Sequence, residues 1–144
     1  MATAEVGDDV FGDDPTVKEL EALAAGMLGK PAALFAASGT MTNLMALLTH
    51  GGRGDEYIVG QNAHTYLFEG GGGAALGGLQ PQPMEIEPDG TLALEKVESL
   101  IKPDDPHYAR TRLLCLENTS WGRVLPHDYL REARAFADRH GLLL

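Results

Sequence analysis

Four stretches of the chain carry apolar residues at helical spacing, and short continuous apolar runs lie between them. Val17, Leu20, Leu23, Ala24, Met27 and Leu28 form the first stretch. Asp14 before Pro15 supplies an N-cap and a proline at the first helical position, and Gly29 supplies the stop. Met41 to Leu48 is apolar nearly all round, which predicts a buried helix. Leu94, Val97, Leu100 and Ile101 predict a third helix. Tyr129, Leu130, Ala133, Phe136 and Ala137 predict a fourth, ended by Gly141.

The runs between them read as strands. Ala32 to Ala36 reads as a strand or its lead-in, Tyr57 to Val59 as a short buried strand, and Leu113 to Leu116 as a continuous apolar strand. Gln80 to Ile86 is a weaker candidate because of Pro81 and Pro83. Leu142 to Leu144 begins one more. This alternation predicts an α/β fold with a mostly parallel sheet and flanking helices, in one domain around one core.

Composition narrows the function classes. The formal net charge is −10. That field argues against nucleic-acid binding, but a local turn of backbone amides can still hold a small phosphate. No apolar run nears the roughly 20 residues of a membrane span, and the N-terminus lacks a secretory pattern. The expectation is a cytoplasmic protein without a membrane partner. The single cysteine, Cys115, sits in an apolar strand and reads as a small buried hydrophobe.

Several segments carry candidate chemistry. Ser38-Gly39-Thr40 opens the Met41 helix, where first-turn amides and the helix dipole suit a phosphate. Taken alone, the tripeptide reads more readily as an ordinary capped strand-to-helix turn. His64 follows a buried strand, where open α/β sheets place ligands. It can stack on an aromatic cofactor or move protons, and a loop histidine capping the next turn fits equally. His107, taken alone, reads as a surface histidine. Glu117-Asn118-Thr119 ends a buried strand and either lines a site or starts a turn. Gly70 to Gly73 lacks the context of a dinucleotide fingerprint or P-loop and reads as a flexible or tightly packed turn. Asp8-Asp9 and Asp13-Asp14 lack EF-hand spacing, so capping is preferred to a metal site.

In order, these blocks resemble one family. Val6-Gly-Asp-Asp-Val-Phe-Gly-Asp-Asp-Pro-Thr-Val17, Ser38-Gly-Thr-Met-Thr-Asn43 and Gly60-Gln-Asn-Ala-His-Thr-Tyr-Leu-Phe-Glu69 are similar to the low-specificity L-threonine aldolases. Gln80-Pro-Gln-Pro83, Ile101-Lys-Pro-Asp-Asp105, His107-Tyr-Ala-Arg110 and Leu116-Glu-Asn-Thr119 continue the likeness across the 144 residues.

The resemblance implies the fold-type I, aspartate aminotransferase-like large domain of pyridoxal 5′-phosphate (PLP) enzymes, with residues 1–144 forming part of it. It assigns Ser38, Gly39 and Thr40 to the cofactor phosphate and His64 to stacking on the pyridine ring. His64 and His107 become the catalytic histidines, with His107 near the substrate β-hydroxyl. Phe11, Phe68 and Glu69 fall around the substrate pocket, where many relatives carry tyrosine in place of Phe11. No metal is implied. The implied reaction is cleavage of L-threonine or allo-threonine to glycine and acetaldehyde, in threonine catabolism and glycine biosynthesis, and complete members act as homotetramers with sites near subunit interfaces.

Relative to the family, the sequence lacks an upstream carboxylate-binding segment, a downstream aspartate motif for the pyridinium nitrogen, and the serine-lysine pair that makes the Schiff base. Lys18, Lys30, Lys96 and Lys102 all fall on expected helix surfaces, helix ends or loops. The expectation is therefore a fragment that is inactive by itself and holds PLP non-covalently at best. Two alternatives remain open: a non-enzymatic remnant or half-site needing a complementing chain, and another fold-type I β-eliminating lyase.

Overall fold

The structure is a computed structural model and describes residues 3–144. The chain divides into two compact units, 1–39 and 40–144.

In the first unit, a 3₁₀ turn over Asp9–Phe11 precedes helix α1, Pro15–Leu28. The acidic pairs serve as caps. Asp8 accepts from the Val10 N–H at the turn. Asp14 caps α1, accepting from Val17 N at 2.9 Å and from Gly7 N at 3.1 Å. These backbone donors hold the Asp14 carboxyl below the usual carboxylate range. The expected apolar stripe of α1 is largely exposed, and Ala25 is the buried residue of the helix. The strand expected at Ala32 to Ala36 does not form. That segment lies beside α1, and the Phe35 N–H donates to Glu21 Oε1 at 2.7 Å rather than to a strand. Its apolar side chains have no sheet neighbour, so composition alone does not make them β.

The second unit is built on a three-stranded parallel sheet. Helix α2 spans Gly39–His50, strand β1 Asp55–Gly60, and two single turns follow, α3 at His64–Leu67 and α4 at Gly72–Ala75. Strand β2 is Gln80–Met84, α5 Leu94–Leu100, β3 Arg110–Cys115 and α6 His127–His140. The strand order is β2-β1-β3, with both pairs parallel. Leu143 extends the sheet beyond β3 through a parallel bridge to Leu113. The prolines of β2 thus lie on an edge strand, where a missing N–H can face away from its neighbour.

Two apolar clusters cover the two faces of the sheet. Ile58, Leu114 and Met84 pack with Val97 of α5 and with Phe136 and Ala137 of α6. Tyr57, Val59 and Leu113 pack with Leu47 of α2. Helix α2 is less buried than its apolar pattern predicts: Leu47 is its one buried residue, and Met41 and Leu48 are exposed. Gly73 explains part of the glycine run as tight packing. A Cβ there would stand 3.0 Å from Leu47 Cδ1 and 3.3 Å from the Tyr57 hydroxyl.

All six residues of β1 are buried, including Asp55 and Glu56. Glu56 is fully covered, and its partners come from both neighbouring strands. Gln80 Nε2 donates to Oε2 at 3.0 Å, and Thr111 Oγ1 donates to Oε1 at 3.0 Å. Lys102 Nζ lies 3.6 Å from Oε1, with its side chain only 22% exposed. Lys102 lies just past the end of α5, and its ammonium is drawn inward by the buried carboxylate. No helix among the described residues is long and apolar enough to cross a membrane.

Candidate active site

The end of β1 delivers His64. The strand is flanked by parallel neighbours, so the chain leaves the sheet at its C-terminal edge, where such folds expose polar groups. Ala63 is buried beneath the turn and His64 opens α3. Three contacts fix the turn. Tyr57 Oη donates to the Thr65 carbonyl at 3.0 Å from below. Thr65 Oγ1 lies 3.7 Å from Cys115 Sγ. The His64 main-chain N–H donates to Glu117 Oε1 at 2.9 Å, from just past the end of β3. Burial pushes the Tyr57 phenol up to about 12 and raises the Cys115 thiol, so both groups are neutral structural partners.

The His64 side chain is 60% exposed. It borders a cleft of about 250 Å³ with Glu117, Thr119, Trp121 and Gly122. The Phe68 ring lies 4.9 Å from that of His64, and the Trp121 ring 6.3 Å from that of Phe68. Trp121 is held by a 3.0 Å hydrogen bond from its Nε1 to the Asn62 carbonyl. On its other side a wider cleft of about 600 Å³ is lined by Asn62, Leu67, Ile86, Ser120 and Arg123. A row of three partly exposed rings beside an open cleft offers a platform for a flat aromatic ligand.

The other expected site residues are placed as follows. Ser38 and Gly39 close the first unit and Thr40 opens the second, with α2 starting at Gly39. Phe11 belongs to the first unit, in the 3₁₀ turn, and is 77% exposed. Phe68 is on the platform. Glu69 turns inward: its carboxylate is 8% exposed, takes a hydrogen bond from Asn43 Nδ2 at 2.8 Å, and has Oε1 3.7 Å from His64 Nδ1.

His107 is not brought to His64 within this chain. It precedes β3 whereas His64 follows the parallel β1, so the two lie at opposite ends of the sheet, roughly 20 Å apart along a six-residue strand. The His107 side chain is 87% exposed, and its Nδ1 sits 2.7 Å from Asp105 Oδ1. The His107 backbone and ring contacts hold the Asp105 carboxyl low.

Sequence reasoning did not single out Trp121, Asn43 or the Glu117–His64 link. The one tryptophan in the chain, soon after the end of an apolar strand, was the available signal for the first. No local pattern marks the other two, because their partners are 26 and 53 residues away.

These residues suit one part of a PLP site, the aromatic ring. Among the described residues of the second unit, no lysine lines the cleft. Lys96 pairs with Glu87 at 2.8 Å, and Lys102 is held at the far end of the sheet by Glu56. Lys18 and Lys30 belong to the first unit.

Several known proteins are similar to this chain. The low specificity L-threonine aldolase of Escherichia coli K12 is 59% identical over 144 residues, covering all of this chain and 43% of that protein. Low-specificity L-threonine aldolase 1 of Arabidopsis thaliana is 46% identical, again over the whole chain and 42% of the relative. The chain thus spans less than half the length of these relatives. Among solved structures, a threonine aldolase of Leishmania major superposes with a TM-score of 0.79 at 27% identity, over 92% of this chain and 39% of that one. DesV of S. venezuelae, solved with a ketimine intermediate, gives 0.67 at 32% identity, over 89% of this chain and 32% of that one. The fold is that of the fold-type I PLP enzymes. Residues 1–144 match the beta-eliminating lyase family from end to end, and the chain belongs to that family.

Proposed function

We propose that this chain carries the ring-binding part of the PLP site of a threonine aldolase-type carbon–carbon lyase acting on small β-hydroxy amino acids. The observation that carries the reading is His64, an exposed imidazole on a rigid turn at the C-terminal edge of the sheet, beside an open cleft. PLP, when bound, supplies the electron sink for cleavage between Cα and Cβ.

His64 stacks on the cofactor ring, and Phe68 and Trp121 continue the apolar wall that shields it from water. The family resemblance, not a distance, assigns the phosphate to Ser38, Gly39 and Thr40, and Phe11 to the substrate side. His107 takes or relays the proton of the substrate β-hydroxyl. Its exposed position at the opposite end of the sheet suits a site completed between copies of the chain.

With Lys96 and Lys102 committed to glutamates, the cofactor is held without a covalent bond and the 144-residue chain by itself releases no glycine from threonine. The test is PLP titration of the purified chain, followed by borohydride reduction and an assay for glycine. Expected are saturable PLP absorbance lost in His64→Ala, no reduced adduct, and no glycine. Absence of PLP binding, or a lysine adduct with turnover, overturns the reading.

A further inference from the structure

Glu69 occupies a backbone conformation that glutamate rarely adopts. Its φ is 59°, and Gly70 and Gly71 follow at 63° and 62°. A non-glycine residue in this left-handed region is strained, and such strain persists where surrounding contacts hold it. Here the kink reverses the chain after α3 and returns the Glu69 carboxylate to the interior, where it is 8% exposed. A carboxylate so buried needs donors. Asn43 of α2 provides one, 2.8 Å from Oε1. The same oxygen faces His64 Nδ1 at 3.7 Å, a charge contact somewhat beyond hydrogen-bond length. Because the imidazole is largely exposed, a small turn about its Cβ–Cγ bond closes that gap.

We propose that Glu69, anchored by Asn43, is a positioning residue for His64. Its carboxylate accepts a hydrogen bond from Nδ1–H, which fixes the tautomer and plane of the ring and leaves Nε2 as the lone-pair nitrogen. Glu117 restrains the same residue through its main-chain N–H. His64 is thus restrained at the backbone by Glu117, just past β3, and at the ring by Glu69, itself bonded to Asn43 of α2. Glu69 then acts behind the histidine and does not touch substrate. The inference rests on His64 being the platform for the cofactor ring.

The test needs no cofactor. Ring-nitrogen NMR of the ¹⁵N-labelled 144-residue chain, at a pH where imidazoles are neutral, reads the His64 tautomer directly, with His64→Gln assigning the signals. The expected major form is Nδ1–H. Glu69→Gly, which also relieves the backbone, and Asn43→Ala, which leaves Glu69 in place, are each expected to shift the major form to Nε2–H, the preference of a solvated histidine. Asn43→Ala keeps the test decisive if Glu69→Gly does not fold. A purely structural role lowers thermal stability in these variants and leaves the tautomer ratio unchanged. That result, or a major Nε2–H form in the unsubstituted chain, overturns the inference. A chain that binds no PLP yet shows the tautomer shift sinks the cofactor reading and supports this one.

Discussion

The Glu117 carboxylate receives the main-chain N–H of His64 at 2.9 Å, joining residues 53 positions apart. The bond ties the loop after β3 to the turn after β1, so the His64 main chain is held to the ends of two strands. Hydrogen exchange at the His64 amide reads this directly. Glu117→Ala is expected to speed that exchange by about fivefold, for a hydrogen bond worth about 1 kcal/mol, whereas Glu117→Gln, which keeps the acceptor oxygen, should change it little.

Two glycines in helices should respond oppositely to alanine. At Gly73 the added methyl meets Leu47 and the Tyr57 hydroxyl at 3.0 and 3.3 Å. Gly73→Ala is expected to cost about 1–3 kcal/mol by overpacking. At Gly26, within α1, a Cβ meets nothing within 4 Å. Gly26→Ala should therefore stabilise that helix by about 0.5–1 kcal/mol. Urea unfolding, followed by circular dichroism, measures both.

Asp55 accepts from Arg110 Nε at 2.8 Å, and that bond holds its carboxyl below the usual range. A carboxyl whose folded pKa lies below its unfolded value adds stability that is complete above the unfolded value, about 3.9, and lost as pH falls through the folded one. Arg110→Ala is expected to cost about 0.5–1 kcal/mol near neutrality. The gap between variant and parent should close below about pH 4. A gap independent of pH would falsify the assignment.

Tyr57 gives the alkaline counterpart. Burial raises its phenol to about 12, so its contribution is complete below the ordinary value near 10 and is lost as pH rises through about 12. Burial also raises the Tyr129 phenol, so tyrosinate absorbance should show late-ionising groups of which Tyr57→Phe removes one. That variant also leaves the Thr65 carbonyl without its donor, at a cost of about 1 kcal/mol below pH 10.

The sheet was readable from sequence where burial on both faces produced continuous apolar runs, as at Tyr57 to Val59 and Leu113 to Leu116. The helix signals at Asp14, Gly29 and Gly141 were readable because capping is local. Ala32 to Ala36 misled because a strand needs a partner that no local pattern specifies. Asp55 and Glu56 were overlooked because their buried charge is matched by residues 24 and 55 positions away. The same limit applies to the site. His64 followed from its place after a buried strand, whereas Asn43 and Glu117 act across distances in sequence that motif spacing does not encode.

The fully covered Glu56 carboxylate has a consequence for assembly. Gln80 and Thr111 are its register partners in the two neighbouring strands. Sliding either strand by one residue turns that partner to the opposite face and strips the buried carboxylate of one of its hydrogen-bond donors. Misaligned sheets of otherwise similar greasiness are thereby handicapped, and the carboxylate acts as a proofreading mark for strand alignment.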